Sequence, residues 1–330
     1  MGKFLETEKI SQVAFKRAHL SPAAQADGFF ATKYRPYCLP LEAAEENLFE
    51  GIRLAAMDFF ARQNIKWHNG HDGKPSNHLC DSQVCRLNFL FPFADQPEAL
   101  ADLLRPFYPQ IERMLPVEDG QFVSFEWIGV EDYLKEVISR NKQRSRGALC
   151  TSADAMVMFT RRDHIRQIVL IEWKYTESYG RTSKLKGKSG EHRREIYEKH
   201  FNHPDCPIKH EVLPTFESLF YDPFYQFMRQ QFLANEMEKA HELGAEVVSL
   251  LHIAPCANTC FQRVTSQALE SVGTAVTEIW KKLVKTPNRF LSLTTEELFS
   301  PMKSSAPSEL RSWIEYIQER YPWALNVYRW

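Results

Sequence analysis

The sequence lacks a surplus of charge of either sign. Its 41 Lys and Arg residues meet 42 Asp and Glu, for a net charge of -1. That excludes the overall basic field typical of many nucleic-acid-binding domains, so any site for a polyanion must be a local patch. No run is apolar and long enough to span a membrane. The first residues, MGKFLETEKISQ, hold no apolar core of a secretory signal. Glu6 stands where an N-myristoylation signal after Gly2 needs Ser or Thr. The seven cysteines are odd in number and irregularly spaced, which suits reduced thiols and a cytoplasmic setting. No internal repeat is evident. Gly187-Lys188-Ser189 is not a P-loop, because Thr182 replaces the first glycine of that motif.

With 330 residues, 44% hydrophobic and 13% aromatic, the chain can bury a substantial core as one large domain or two. The informative stretch is 151–180, TSADAMVMFTRRDHIRQIVLIEWKYTESYG. It reads as two strands joined by a short charged turn. Ala153 to Thr160 carries one acid, Asp154. Arg166 to Tyr175 is apolar through Ile168-Val169-Leu170-Ile171 and then turns polar at Glu172-Trp173-Lys174. Alternate side chains of a strand share a face, so Glu172 and Lys174 point one way and Trp173 the other. A two-residue turn at Asp163-His164 would carry Asp154 away from that pair. An odd-length loop or a bulge, for instance with Arg162 opposite Arg166, puts all three on one face; we expect that register. Two carboxylates so placed can hold a hard divalent cation, and the lysine can orient or deprotonate water or meet charge on a phosphate. The plain alternative is a surface ion pair, which would be nearly neutral in energy. The apolar run before Glu172 speaks for a strand covered on both faces instead.

The pattern resembles the PD-(D/E)XK nuclease superfamily, the fold of many restriction enzymes and repair nucleases. Ala153-Asp154 matches its first motif, where the family often has Pro-Asp, and Glu172-Trp173-Lys174 matches its Glu-x-Lys. The wider run from Arg146-Gly147 through TSADA to IEWKYTE is similar to a bacterial group of restriction-endonuclease-like proteins. The resemblance covers residues 120–255. It implies Asp154, Glu172 and Lys174 as catalytic residues, with Asp154 and Glu172 as ligands of Mg2+ or Mn2+ and DNA as the partner. It also implies a polar residue offered to the site by the following helix, for which Gln226, Arg229 and Gln230 are candidates.

The remainder is read in chain order. Residues 1–40 look irregular, broken by Pro22, Pro36 and Pro40. A helix is expected over 41–63, with Leu48, Ile52, Leu54, Ala55, Phe59 and Phe60 on its apolar face. His68, His71, His78, Cys80 and Cys85 match no zinc spacing, so a polar loop followed by partly buried cysteines is expected. Residues 82–89 suit a packed helix, with Ser82 and Gln83 as capping residues more than ligand contacts. Another amphipathic helix is expected over 95–115.

From Gln121 a strand begins, and Glu126 on it is either a third metal ligand or a charge leaving the sheet edge. A short helix is expected over 131–139. The run 140–147 carries Arg140, Lys142, Arg144 and Arg146 without an acid, and 181–194 carries Arg181 and Lys184 among six cations. Each is a solvated loop by default. Flanking the acid hairpin, they are also where a phosphate backbone could be gripped. A helix over 223–243 starts at Pro223 and stops at Gly244. A strand at 246–254 should join the sheet by a crossover. His252 with Cys256 and Cys260 makes a poor metal clip. Helices at 262–285 and 308–320 follow, and the aromatic end YPWALNVYRW should dock on the body.

The expected architecture is α/β: a mixed central β-sheet flanked by helices, a restriction-endonuclease-like core over 119–330 with C-terminal helices, and an added, mostly helical region over 1–118. The expected activity is hydrolysis of DNA by a magnesium-dependent endonuclease, with a homodimer as one option. The alternative is a non-catalytic nucleic-acid-binding protein on the same fold.

Overall fold

Apolar alternation builds the centre of this fold. Val169 and Ile171 bury into one cluster of side chains, and Ile168 and Leu170 into another. Both faces of that strand are therefore covered, which is why it reads as a continuous apolar run. The computed structural model describes residues 2–136, 144–187, 192–305 and 307–326.

In chain order the elements are α1 (Lys3–His19), β1 (Gly28–Phe30), β2 (Lys33–Arg35), α2 (Arg53–Arg62), α3 (Ser82–Leu90), α4 (Pro97–Leu104), β3 (Ile111–Leu115), β4 (Val123–Trp127), β5 (Ala153–Arg161) and β6 (Arg166–Trp173). They continue with α5 (Arg193–Phe201), α6 (Phe224–Lys239), β7 (Val247–Ala254), α7 (Val276–Leu283), β8 (Phe290–Thr294), α8 (Thr295–Phe299), α9 (Met302–Ser305) and α10 (Arg311–Arg320). A six-stranded sheet runs β3-β5-β6-β7-β8, with β4 on the same edge of β5 as β3. The β3-β5, β4-β5 and β5-β6 pairs are antiparallel. The β6-β7 and β7-β8 pairs are parallel, so the sheet is mixed and β7 arrives by a crossover through α6. One cluster, from Phe4 to Leu325, joins the N-terminal helices and α10 to one face; the other puts α6 and α7 on the opposite face. This is the α/β architecture expected from the sequence.

Several elements differ from the expectations. Residues 3–19 are helical, not irregular. The buried face of α1 includes Glu8, Gln12 and Lys16 beside Phe4 and Phe15. Polar residues on the inward stripe hide the apolar period. The expected helix over 41–63 is broken: 3-10 turns occupy Leu41–Asn47 and Glu50–Ile52 before α2. Asn88 Oδ1 accepts the Phe49 N–H at 2.8 Å, and Asn47 donates to Ser76 O and His78 O, so side chains far along the chain take the place of helical bonds. Leu54, assigned to the apolar face, is 83% exposed.

Residues 95–115 divide into α4 and β3, because the second half finds a partner in β5. Residues 131–136 are not helical, and 137–139 lie outside the described residues, as do Arg140 to Gln143 of the basic run. The helix expected over 262–285 is α7 alone, preceded by a 3-10 turn at Gln267–Ser271. Lys188 to Glu191 and the last four residues, 327–330, also lie outside the described set. Among the described residues no helix is long and apolar enough to cross a membrane.

Candidate active site

The β5-β6 hairpin decides the site. Thr160 pairs with Arg166 and Ala155 with Ile171, and the Arg161 N–H donates to Ile165 O at 2.8 Å. The loop proper is Arg162-Asp163-His164, odd in length as expected, with His164 left-handed at φ 67°. The register is one step from a pairing of Arg162 with Arg166: Arg161 faces Ile165. Asp154 therefore falls opposite Glu172, not opposite Lys174. All three still share the face that α6 covers.

Asp154 and Glu172 are held by different donors. The Trp173 N–H donates to Asp154 Oδ2 at 2.7 Å, and Arg86 Nη1 donates to Oδ1. Lys174 Nζ donates to Glu172 Oε1, and Gln230 Nε2, from α6, to Oε2. Each carboxylate thus retains lone pairs for a further ligand. The Asp154 side chain is 23% exposed and that of Glu172 8%. Both line a cavity of about 370 Å³ with Lys174, Gln226, Arg229 and Gln230.

Burial pushes the Glu172 carboxyl up to about 7; Lys174 opposes this and the nearby Asp154 charge adds to it. Burial pulls the Lys174 ammonium down, but Glu172 in contact with it, joined by Tyr179, Asp154 and Glu177, holds it well above its ordinary value. The sequence leaves open which effect governs Lys174; in the structure the surrounding acidic groups together prevail over burial, and the lysine keeps its proton.

Glu126 lies opposite Asp154 on β4, in line with the other two acids. Its conformation is left-handed at φ 51°, and Arg146 braces the backbone by donating to Phe125 O and Glu126 O. Glu126 Oε1 accepts from Arg86 Nη2 at 2.7 Å and from Gln83 Nε2 at 2.9 Å, while Oε2 accepts from Ser152 at 2.8 Å. Burial raises its pKa, but Arg86, with His68 and the Gln83 amide, together keep the carboxyl below its ordinary value.

Helix α3 supplies what sequence reasoning missed. Its cap is Asp81, whose Oδ1 accepts the Val84 N–H at 3.1 Å, so the cap expected at Ser82 or Gln83 is displaced by one residue. Gln83 and Arg86 turn instead to the acids. A signal existed: Arg86 sits in Val84-Cys85-Arg86-Leu87, where neighbours are buried, and a buried cation must find anions. His68, on the cavity rim, contacts Gly147 O at 2.8 Å. Gly147 is required there, with φ 75° and Lys66 O 2.9 Å from where a Cβ would stand.

The other candidates are placed as follows. Tyr179 donates to Gln226 Oε1 at 3.3 Å. Arg229 donates to Thr151 Oγ1 at 2.8 Å and to Glu136 at 3.3 Å. Arg144 is turned onto the carbonyls of Ile128, Val130 and Glu131, and Arg146 onto Glu118. Arg181 pairs with Glu270, and Lys184 with Asp222 at 3.0 Å. The last four are engaged within the chain and do not line the cavity. All seven cysteines are free thiols. Among the described residues no three His, Cys, Asp or Glu side chains gather as a metal cage.

A family model described as Restriction Endonuclease associating with ARP matches residues 9–322. The chain belongs to this family. No curated protein and no solved structure gives a match. The family match takes in the later part of α1, α2 to α4, the whole six-stranded sheet and α10, so the helix that carries Arg86 and the hairpin that carries the acids lie within one family unit.

Proposed function

We propose that this restriction-endonuclease family member is a metal-dependent deoxyribonuclease of PD-(D/E)XK type, with Mg2+ as its cofactor and Mn2+ as a substitute. The observation that carries the reading is the direct opposition of Asp154 and Glu172, with Lys174 on the same face of an open cavity. The donor set fits a hard cation: two carboxylates with spare lone pairs, and a cavity with room for water. When bound, the cation supplies an activated water and neutralises charge on the phosphate.

The chain's own groups do the rest. Asp154 is fixed by Trp173 and Arg86, and Glu172 by Gln230 and Lys174, so both acids are aimed before substrate arrives. Protonated Lys174 donates toward the attacked phosphate or the water beside it. Phosphate contacts fall to His68, exposed on the cavity rim beside Gly147, and to the exposed Lys66 close by in the chain, while Arg144, Arg146, Arg181 and Lys184 are engaged within the protein. By its description the family associates with ARP, and we take such a partner as part of this reading.

The test is incubation of the full chain with end-labelled single- and double-stranded DNA in Mg2+, in Mn2+ and in EDTA. Metal-dependent cleavage supports the reading. DNA that stays intact in both metals, while binding with a marked salt dependence, would support a non-catalytic binding protein instead.

A further inference from the structure

Glu126, Asp154 and Glu172 stand opposite one another on three adjacent strands. Three carboxylates in a row offer two gaps, and phosphodiester chemistry can use one cation or two. The gaps are filled differently here. Between Glu126 and Asp154 lies the Arg86 guanidinium, which gives Nη2 to Glu126 at 2.7 Å and Nη1 to Asp154. The Arg86 side chain is 1% exposed, as is that of Glu126. Between Asp154 and Glu172, among the described residues, no side-chain nitrogen bonds to both acids; Lys174 and Gln230 reach Glu172 alone.

We propose that Arg86 is a resident cation that takes the place of a second metal, so the centre holds one divalent ion, between Asp154 and Glu172, and Glu126 is not a ligand. This rests on the metal-dependent reading above. The lone pairs agree with it. A carboxylate accepts about four hydrogen bonds or ligands. Glu126 has committed three of these to Gln83, Arg86 and Ser152, whereas Asp154 and Glu172 have each committed two. Charge agrees as well. With all three acids ionised, Arg86 and Lys174 leave a single negative charge in the row, which one divalent ion over-neutralises in favour of a phosphate. The planar fork of an arginine matches two carboxylates at once and cannot lose its proton, so the gap stays closed at any working pH.

The test counts Mn2+ bound to the full chain, from the electron paramagnetic resonance signal of the free ion and by calorimetry, for wild type and for Glu126→Gln. One ion per chain in both, with affinities within about threefold, is the expected result. Two ions in the wild type would overturn this proposal and leave the nuclease reading intact. So would a loss of about tenfold or more in affinity on Glu126→Gln, because Glu126 would then be a ligand. No bound ion in the wild type would overturn both.

Discussion

The backbone N–H of Trp173 donates to Asp154 Oδ2 at 2.7 Å, so the first acid is tied to the strand that carries the second. The separation of Asp154 and Glu172 is thereby set by sheet register and not by two free side chains. Register is fixed in turn by the apolar faces of β5 and β6, since a slip of one residue would turn Glu172 into the Trp173 cluster. Geometry of this kind costs little to maintain during a reaction.

Gln230 should behave as a positioning residue. Its amide donates to Glu172 Oε2 from α6. Gln230→Leu keeps the volume and the helix but frees the carboxylate to turn. Mn2+ affinity should fall by about 10- to 100-fold, with the circular dichroism spectrum unchanged. An affinity that stays within about twofold would show that the amide does not orient this carboxylate.

Removing Arg86 should be costly to stability. Arg86→Met leaves Glu126 buried without its cation and strips Asp154 of one donor. Breaking a buried ion pair from one side typically costs about 3–5 kcal/mol. Urea denaturation of wild type and variant, metal-free, measures this directly. A loss below about 1 kcal/mol would mean that water or a rearranged side chain replaces the guanidinium.

Metal binding should release a proton near neutrality. Burial holds the Glu172 carboxyl at about 7, above its ordinary range. Below that value the acid is protonated in the metal-free protein, and a cation can bind only by displacing the proton. Affinity for Mn2+ should therefore rise with pH by about tenfold per unit up to neutrality, then level off. Calorimetry in two buffers of different ionisation enthalpy should find about one proton released at pH 6 and almost none at pH 8. An affinity that is flat across this interval would place Glu172 outside the metal's ligands.

The hairpin was legible in the sequence because two signals coincide there: a fully apolar strand, and acids whose spacing makes sense only in an odd-length turn. Asp154, Glu172 and Lys174 meet for that reason. Helix α1 was hidden because its buried stripe carries Glu8, Gln12 and Lys16, which find partners only in the folded chain, such as Tyr175 for Glu8 and Gln12. The partners of the basic segments were hidden for a related reason. Arg146, Arg181 and Lys184 look unpaired along the sequence, yet each meets an acid that is distant in the chain, at Glu118, Glu270 and Asp222. Arg86 was missed as one cation in a helix of apolar neighbours, and its long-range pairing with Glu126 and Asp154 cannot be read from local pattern.

The most direct measurement is cleavage of plasmid and single-stranded DNA in Mg2+ by wild type beside Glu172→Gln and Lys174→Met, each checked for folding by thermal denaturation. The account predicts cleavage by the wild type and losses of about 10²-fold or more in both variants, because one removes a cation ligand and the other the proton donor at the phosphate. Cleavage that persists undiminished in both folded variants would contradict it and move the chemistry away from this hairpin.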